Sequence, residues 1–181
     1  MDNNEIKVRA ELSRDEKLIW TGKPYQGLMI RAVDTFLIPF SLLWGGFFLF
    51  WEVAALTSGA PVFSLMFGAA FVIIGLYFIF GRFLHDILRR RHVIYGLTEK
   101  RFLFISRSGI QSVLLSEAHN VKYKPHKGGQ GTLQFGKNPS IFGMTLSQQM
   151  GFWSGSPAVP TFEKIQDGDY VYKEVKRLIG L

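Results

Sequence analysis

Residues 35–51 read TFLIPFSLLWGGFFLFW and residues 53–81 read VAALTSGAPVFSLMFGAAFVIIGLYFIFG, with no Asp, Glu, Lys or Arg in either run. A helix that crosses roughly 30 Å of hydrocarbon needs about 20 predominantly apolar residues. Residues 36–56 and 62–81 both reach that length. Each carries 12 Leu, Ile, Phe and Val. At about −0.3 to −0.6 kcal/mol apiece, these favour insertion by about −4 to −7 kcal/mol per segment. Glu52 opposes this, but it stands near one end of the first span, where a carboxylate reaches the headgroups. Pro39 falls in the first turn, where a missing N–H costs little. A buried hairpin of a soluble protein would need cover on all sides, and 181 residues leave too little other material for that.

Lys and Arg placement orients the pair. The connection Thr57-Ser58-Gly59-Ala60-Pro61 carries no positive charge, whereas Lys17, Lys23 and Arg31 precede the first span and Arg82, Arg89, Arg90 and Arg91 follow the second. The positive-inside rule then predicts a multi-pass protein of the inner (cytoplasmic) membrane, both termini cytoplasmic. The segments expected are a cytoplasmic N-terminal stretch at 1–34 with a short strand near 17–24, a first span at 35–57, an outer turn at 58–61, a second span at 62–82 and a cytoplasmic domain at 92–181. Trp51 would lie at the outer interface. Residues 1–15 are polar and charged, with no apolar core of a signal peptide.

Small residues mark where the helices can meet. Ser41 and Gly45 are four apart; Ser64 and Gly68 are four apart, and Gly75 lies seven further on. Such stripes let backbones approach closely, in a tight hairpin or a dimer seam. Glu52 falls roughly on the Gly45 face, as an intramembrane carboxylate or an interfacial residue.

The rest of the chain differs in charge and rhythm. Residues 1–34 hold six Lys/Arg and six Asp/Glu, while residues 82–181 hold fifteen and seven, a net of +8 within the chain's total of +7. The chain has no Cys, which excludes disulfides and thiolate metal sites. Past the second span, short alternating runs predict strands at 92–98, 101–107, 110–115, 121–125 and 132–135, separated by turn signals. The stretch 136–160 is irregular and leaves room for one or two edge strands near 141–144. A strand at 161–165 and a helix at 167–178 follow, the helix capped by Asp167 or Asp169 and striped by Val171, Val175, Leu178 and Ile179. Antiparallel strands followed by one amphipathic helix predict a small barrel or curled sheet plugged by that helix.

At this point the chain resembles the bacterial pleckstrin-homology-like, membrane-flanked domain proteins. The matching pieces are Leu12 to Lys17 with Trp20 to Pro24 before the spans, and Tyr95 to Phe104 directly after them. Val113 to Ser116 with Val121, Gly129 to Phe135, and Phe162 to Ile165 with Val171 and Val175 complete the order. The resemblance implies an α+β membrane protein: a two-helix transmembrane hairpin plus a pleckstrin-homology-like small β-barrel capped by a C-terminal helix. It implies no catalytic residues and no cofactor. The long stretch 136–160 departs from the compact pattern and leaves the strand count open.

Several residues bear on partners. Arg89, Arg90 and Arg91 sit beside the membrane, where each basic side chain is worth about 1 kcal/mol against anionic lipid; the same triplet also serves as a topology signal. Lys122 and Lys124 share a strand face that could meet a phosphate or an acidic protein. Phe152 and Trp153, on a Gly/Ser loop, suit the membrane interface or a partner. The four His lack metal-site spacing. Residues 128–131 lack the Gly-Lys-Ser/Thr ending of a phosphate loop and read as a hairpin turn. Positive charge beside a membrane, without a recognition helix, excludes nucleic acid as the partner. The reading is therefore a non-catalytic, membrane-anchored module that binds the bilayer and another membrane protein or a second copy of itself. A competing class is an enzyme or subunit acting on membrane-phase substrates, with His92, Tyr95 and Glu99 as its nearest polar cluster.

Overall fold

The computed structural model describes residues 3–31, 34–118, 120–136, 157 and 159–180. The chain divides into two compact units. Of the described residues, one unit, the head, comprises 3–27, 87–118, 120–136, 157 and 159–180; the other, the hairpin unit, comprises 28–31 and 34–86.

Among the described residues the head holds seven strands in two antiparallel sheets. The first sheet has the order β1-β2-β3-β4, from β1 (Leu18–Gly22), β2 (Ile94–Thr98), β3 (Arg101–Ser106) and β4 (Gly109–Leu114). The second has the order β5-β6-β7, from β5 (Val121–Pro125), β6 (Gly131–Phe135) and β7 (Thr161–Ile165). This corrects the expectation of a small closed barrel. Closure would require ladders from β4 to β5 and from β7 to β1, and neither is present among the described residues. A single 3₁₀ turn at Leu115–Glu117, with Leu115 buried, separates β4 from β5.

The two sheets share one core, and its hub is Phe162 of β7. The Phe162 ring lies 4.7 Å from Tyr95, 5.0 Å from Phe104, 5.1 Å from Phe135, 5.8 Å from Trp20 and 5.9 Å from Phe102, centroid to centroid. Offset and tilted pairs of this kind add to the area they bury. Helix α5 (Gly168–Ile179) lays Val171 and Val175, both fully buried, on this cluster, with Leu178 and Ile179 beside them. Asp167 stands at the start of α5, yet its side chain does not cap the helix. It instead accepts the Trp20 indole N–H at 3.1 Å, and Asp169 accepts the Tyr123 hydroxyl at 2.5 Å. At Gly168 a Cβ would lie 2.4 Å from the backbone of Gly131, so only glycine lets the helix start against β6. Across the first sheet, helix α1 (Asn3–Ala10) buries Val8 against Ile94 and Leu103.

β1 pairs with β2, with Gly22 opposite Tyr95. The head is thus discontinuous in sequence. Residues 1–27 contribute a helix and a strand to it and are not a separate leading segment, and the hairpin unit is inserted between two neighbouring strands.

The hairpin unit contains α2 (Asp34–Thr57) and α3 (Val62–Leu76). α3 passes through a π-turn at Tyr77–Gly81 into α4 (Arg82–Arg90), so one helix of 29 residues runs from Val62 to Arg90. Both helices are long and apolar enough to cross a membrane, and only 11% of each apolar window is buried. Phe63 (81%), Leu43 (76%) and Phe50 (74%) are among the apolar side chains left uncovered.

Candidate functional site

The small-residue stripes meet inside the hairpin. A Cβ on Gly75 would stand 2.9 Å from the Cα of Gly45, so these two backbones touch. Ser41 is buried on the same seam, and its hydroxyl donates to the Ile38 carbonyl at 3.0 Å. Gly68 is covered by Glu52: a Cβ there would lie 2.0 Å from Glu52 Oε2. That oxygen is buried with no hydrogen-bond partner, as is Trp44 Nε1. Ser64 is half-buried.

At the opposite end of the hairpin four charges interlock. Arg82 Nη1 forms an ion pair with Asp34 Oδ1 at 2.7 Å, with both side chains almost fully buried. Arg31 grips Asp86 with two parallel bonds of 3.1 Å each. Asp34 Oδ2 also accepts the Arg31 backbone N–H at 2.6 Å, ahead of the helix it begins. Planar, bidentate guanidinium–carboxylate pairing is what allows charges to be buried together. By placement in the sequence, Arg31 and Arg82 serve only as topology signals. A symmetry in the sequence also marks them: each apolar run is flanked by an Arg and an Asp three or four residues apart, Arg31 with Asp34 and Arg82 with Asp86.

The arginine triplet of the head splits into three different environments. Arg90 is fully buried and donates to the carbonyls of Tyr25 and, at 2.7 Å, Gly27. The expectation that it touches lipid is corrected: its guanidinium ties residues 25–27 to the following strand and has no surface. Arg89 reaches Glu163 at 3.5 Å and keeps 30% of its side chain exposed. Arg91 is exposed.

On the second sheet, Lys122 and Lys124 are both exposed on β5, while Val121 and Tyr123 turn towards the core. Burial, with added help from Asp169, pushes the Tyr123 hydroxyl up to about 12. The structure adds His126 and Lys164 to this basic face. His126 Nε2 lies 3.0 Å from Thr132 Oγ1, which also accepts the Lys164 backbone N–H at 3.1 Å. Burial first, then the Lys164 and Lys124 charges, lower the His126 pKa below its ordinary 6.5. The Lys164 ammonium sits 4.1 Å from the centroid of the Tyr25 ring. Strict alternation would place Lys164 on the same face as buried Phe162. A positive φ of 46° at Lys164 and a register shift between Gly131 and Leu133 break the alternation, which is why the period-2 pattern missed it.

His92, Tyr95 and Glu99 do not converge. Tyr95 is buried in the aromatic core, His92 is exposed beside the Leu88 carbonyl, and Glu99 stands in the β2–β3 turn. Phe152, Trp153, the 141–144 segment and His119 lie outside the described residues. Among the described residues no group of three or more His, Asp and Glu is placed to hold a metal ion. The chain matches no family model, no curated protein and no solved structure.

Proposed function

We propose that this protein is a membrane-anchored, non-catalytic binding and scaffolding module. The apolar hairpin sits in the cytoplasmic membrane with both termini on the inner side. A pleckstrin-homology-like head docks a membrane protein or a second copy, with its basic face towards anionic lipid. The observation that carries the reading is the uncovered apolar surface of α2 and α3, far beyond the patch a soluble monomer leaves in water. Two sheets around one core with a helix laid on it support the family resemblance. The β1–β2 pairing supports an even number of crossings, because the chain leaves the head at one strand and returns to its neighbour.

Alkaline carbonate washing of membranes should leave the full chain in the pellet, and release into the supernatant would refute the anchor. Crosslinking in native membranes should trap a second copy or a discrete membrane protein; a chain that stays uncrosslinked and monomeric at its native level would refute the scaffold.

A further inference from the structure

A sheet edge offers unpaired backbone groups to any strand that approaches, and proteins blunt such edges with Lys, Pro or bulges. Among the described residues, β1, β4, β5 and β7 stand at edges. β1 has a register break between Leu18 and Trp20 and runs into Lys23 and Pro24. β5 carries Lys122, Lys124 and Pro125. β7 carries Lys164 at positive φ and meets a register break in β6 between Gly131 and Leu133. β4, Gly-Ile-Gln-Ser-Val-Leu, has no charge and no proline. Its register with β3 is unbroken, from Leu114 opposite Arg101 to Gly109 opposite Ser106. Of these edges it alone has no such protection.

The phase of that edge follows from the hairpin. The Leu115 N–H donates to the Lys100 carbonyl at 2.9 Å, and Ser106 and Gly109 close the turn at the other end. Alternate residues of an antiparallel strand bond the same neighbour. Gly109, Gln111 and Val113 therefore turn their N–H and C=O groups to β3, and those of Ile110, Ser112 and Leu114 point outwards. The latter three side chains share a sheet face with Ile105, Leu103 and Arg101. On it Ile110 is 48% exposed and Leu114 47%.

We propose that β4 pairs antiparallel with β4 of a second copy, about a two-fold axis at Ser112. The inference rests on the scaffold reading above and names its partner. Centred on Ser112, the pairing sets Ile110 opposite Leu114 of the second copy and Ser112 opposite its own counterpart, and every outward residue of the strand exchanges both backbone bonds. Centred on Gln111, it would set Ile110 opposite Ser112 and Leu114 opposite Ser108, and the apolar pairs would be lost. The Ser112 register also brings exposed Arg107, in the turn before β4, towards exposed Glu117 of the second copy, in the turn after it, and the symmetry repeats the contact. That complementarity selects a second copy over an unrelated strand; a β5–β5 pair would instead crowd lysines together. One strand pair buries little area and is weak in dilute solution. Two copies anchored in one membrane meet at a raised effective concentration.

The test uses the full chain in native membranes, where the lack of native Cys lets single cysteines report contacts. Two copies of Ser112→Cys stand about 5.5 Å apart, Cα to Cα, within disulfide reach, and should oxidise to a covalent dimer. Two copies of Gln111→Cys stand about 7–8 Å apart on a diagonal and should yield at least about tenfold less. Ile110→Cys and Leu114→Cys should crosslink when co-expressed, and neither with itself. Arg107→Glu should cut the Ser112→Cys dimer about threefold or more, and adding Glu117→Arg to the same chain should restore it. Equal yields from Ser112→Cys and Gln111→Cys overturn the proposal, as does a charge-swapped chain that does not recover. So does a Ser112→Cys chain that stays monomeric or links to a different protein. If an amine-reactive crosslinker traps a second copy while Ser112→Cys stays monomeric, the scaffold stands and only this edge is refuted; a chain that neither reagent traps refutes both.

Discussion

Glu16 shows how much one buried carboxylate organises. Its two oxygens accept two Arg101 bonds of 2.9 Å, the Thr98 hydroxyl at 2.7 Å and the Ser13 amide at 3.2 Å. The Arg101 bond foremost, then Thr98 and Ser13, outweigh burial and hold the carboxyl down at about 2. A carboxyl with a lowered folded-state pKa stabilises the fold above its unfolded pKa, and that stability drains as pH falls towards the folded value. Urea unfolding of the full chain in detergent should therefore show a contribution complete at neutral pH and lost between about pH 4.5 and pH 2. Glu16→Gln should cost about 2 kcal/mol at pH 7 and flatten that acid limb. Arg90→Met strands the carbonyls of Tyr25 and Gly27 and should cost about 2–4 kcal/mol by the same measurement. Arg91→Gln, one position on, should change stability by less than about 0.5 kcal/mol. The sequence shows three identical arginines in a row; only the fold distinguishes them, because which one faces inward depends on residues 25–27 returning beside the helix.

At the scale of elements, periodicity carries far. Strand alternation marked the runs that became β2 to β7, and the stripe at 171, 175, 178 and 179 marked the face α5 lays on the core. What periodicity could not show is where strands stop pairing: a buried turn at Leu115 decides between one closed sheet and two open ones, and no local pattern encodes it. The π-turn escaped for the same reason, since an apolar helix reads alike with or without one wide turn. Asp167 was legible as a helix start but not as an acceptor for Trp20, which arrives from 147 residues away. The glycines make a sharp comparison. Gly75→Ala places a methyl 2.9 Å from Gly45 and should loosen the hairpin, whereas Gly46→Ala meets nothing within 4 Å. The cost should be about 1–3 kcal/mol for the first and near zero for the second. Engineered cysteine pairs across α2 and α3, unambiguous in a chain without native Cys, would report it as slower disulfide formation in Gly75→Ala alone.

For the whole molecule, the composition and the two apolar runs announce the hairpin outright. The head's boundaries were less legible, because its first strand is separated from its partner by the entire hairpin. Thr21 donates to the Tyr95 carbonyl across 74 positions of chain. Impermeant labelling of single cysteines in intact cells should modify a probe at position 59 and spare probes at 14 and 107, on opposite sides of the insertion. That split follows from the charge asymmetry and from neighbouring strands holding both feet.

Placing a strand before the insertion sets an order of events during synthesis. β1 leaves the ribosome first but has no partner until both apolar helices have been made and β2 follows. The first sheet therefore cannot be completed until the whole hairpin has been synthesised. A chain stalled within the hairpin leaves Trp20 and its strand edge without their partner. Finishing the head thus reports that every residue of the hairpin has left the ribosome.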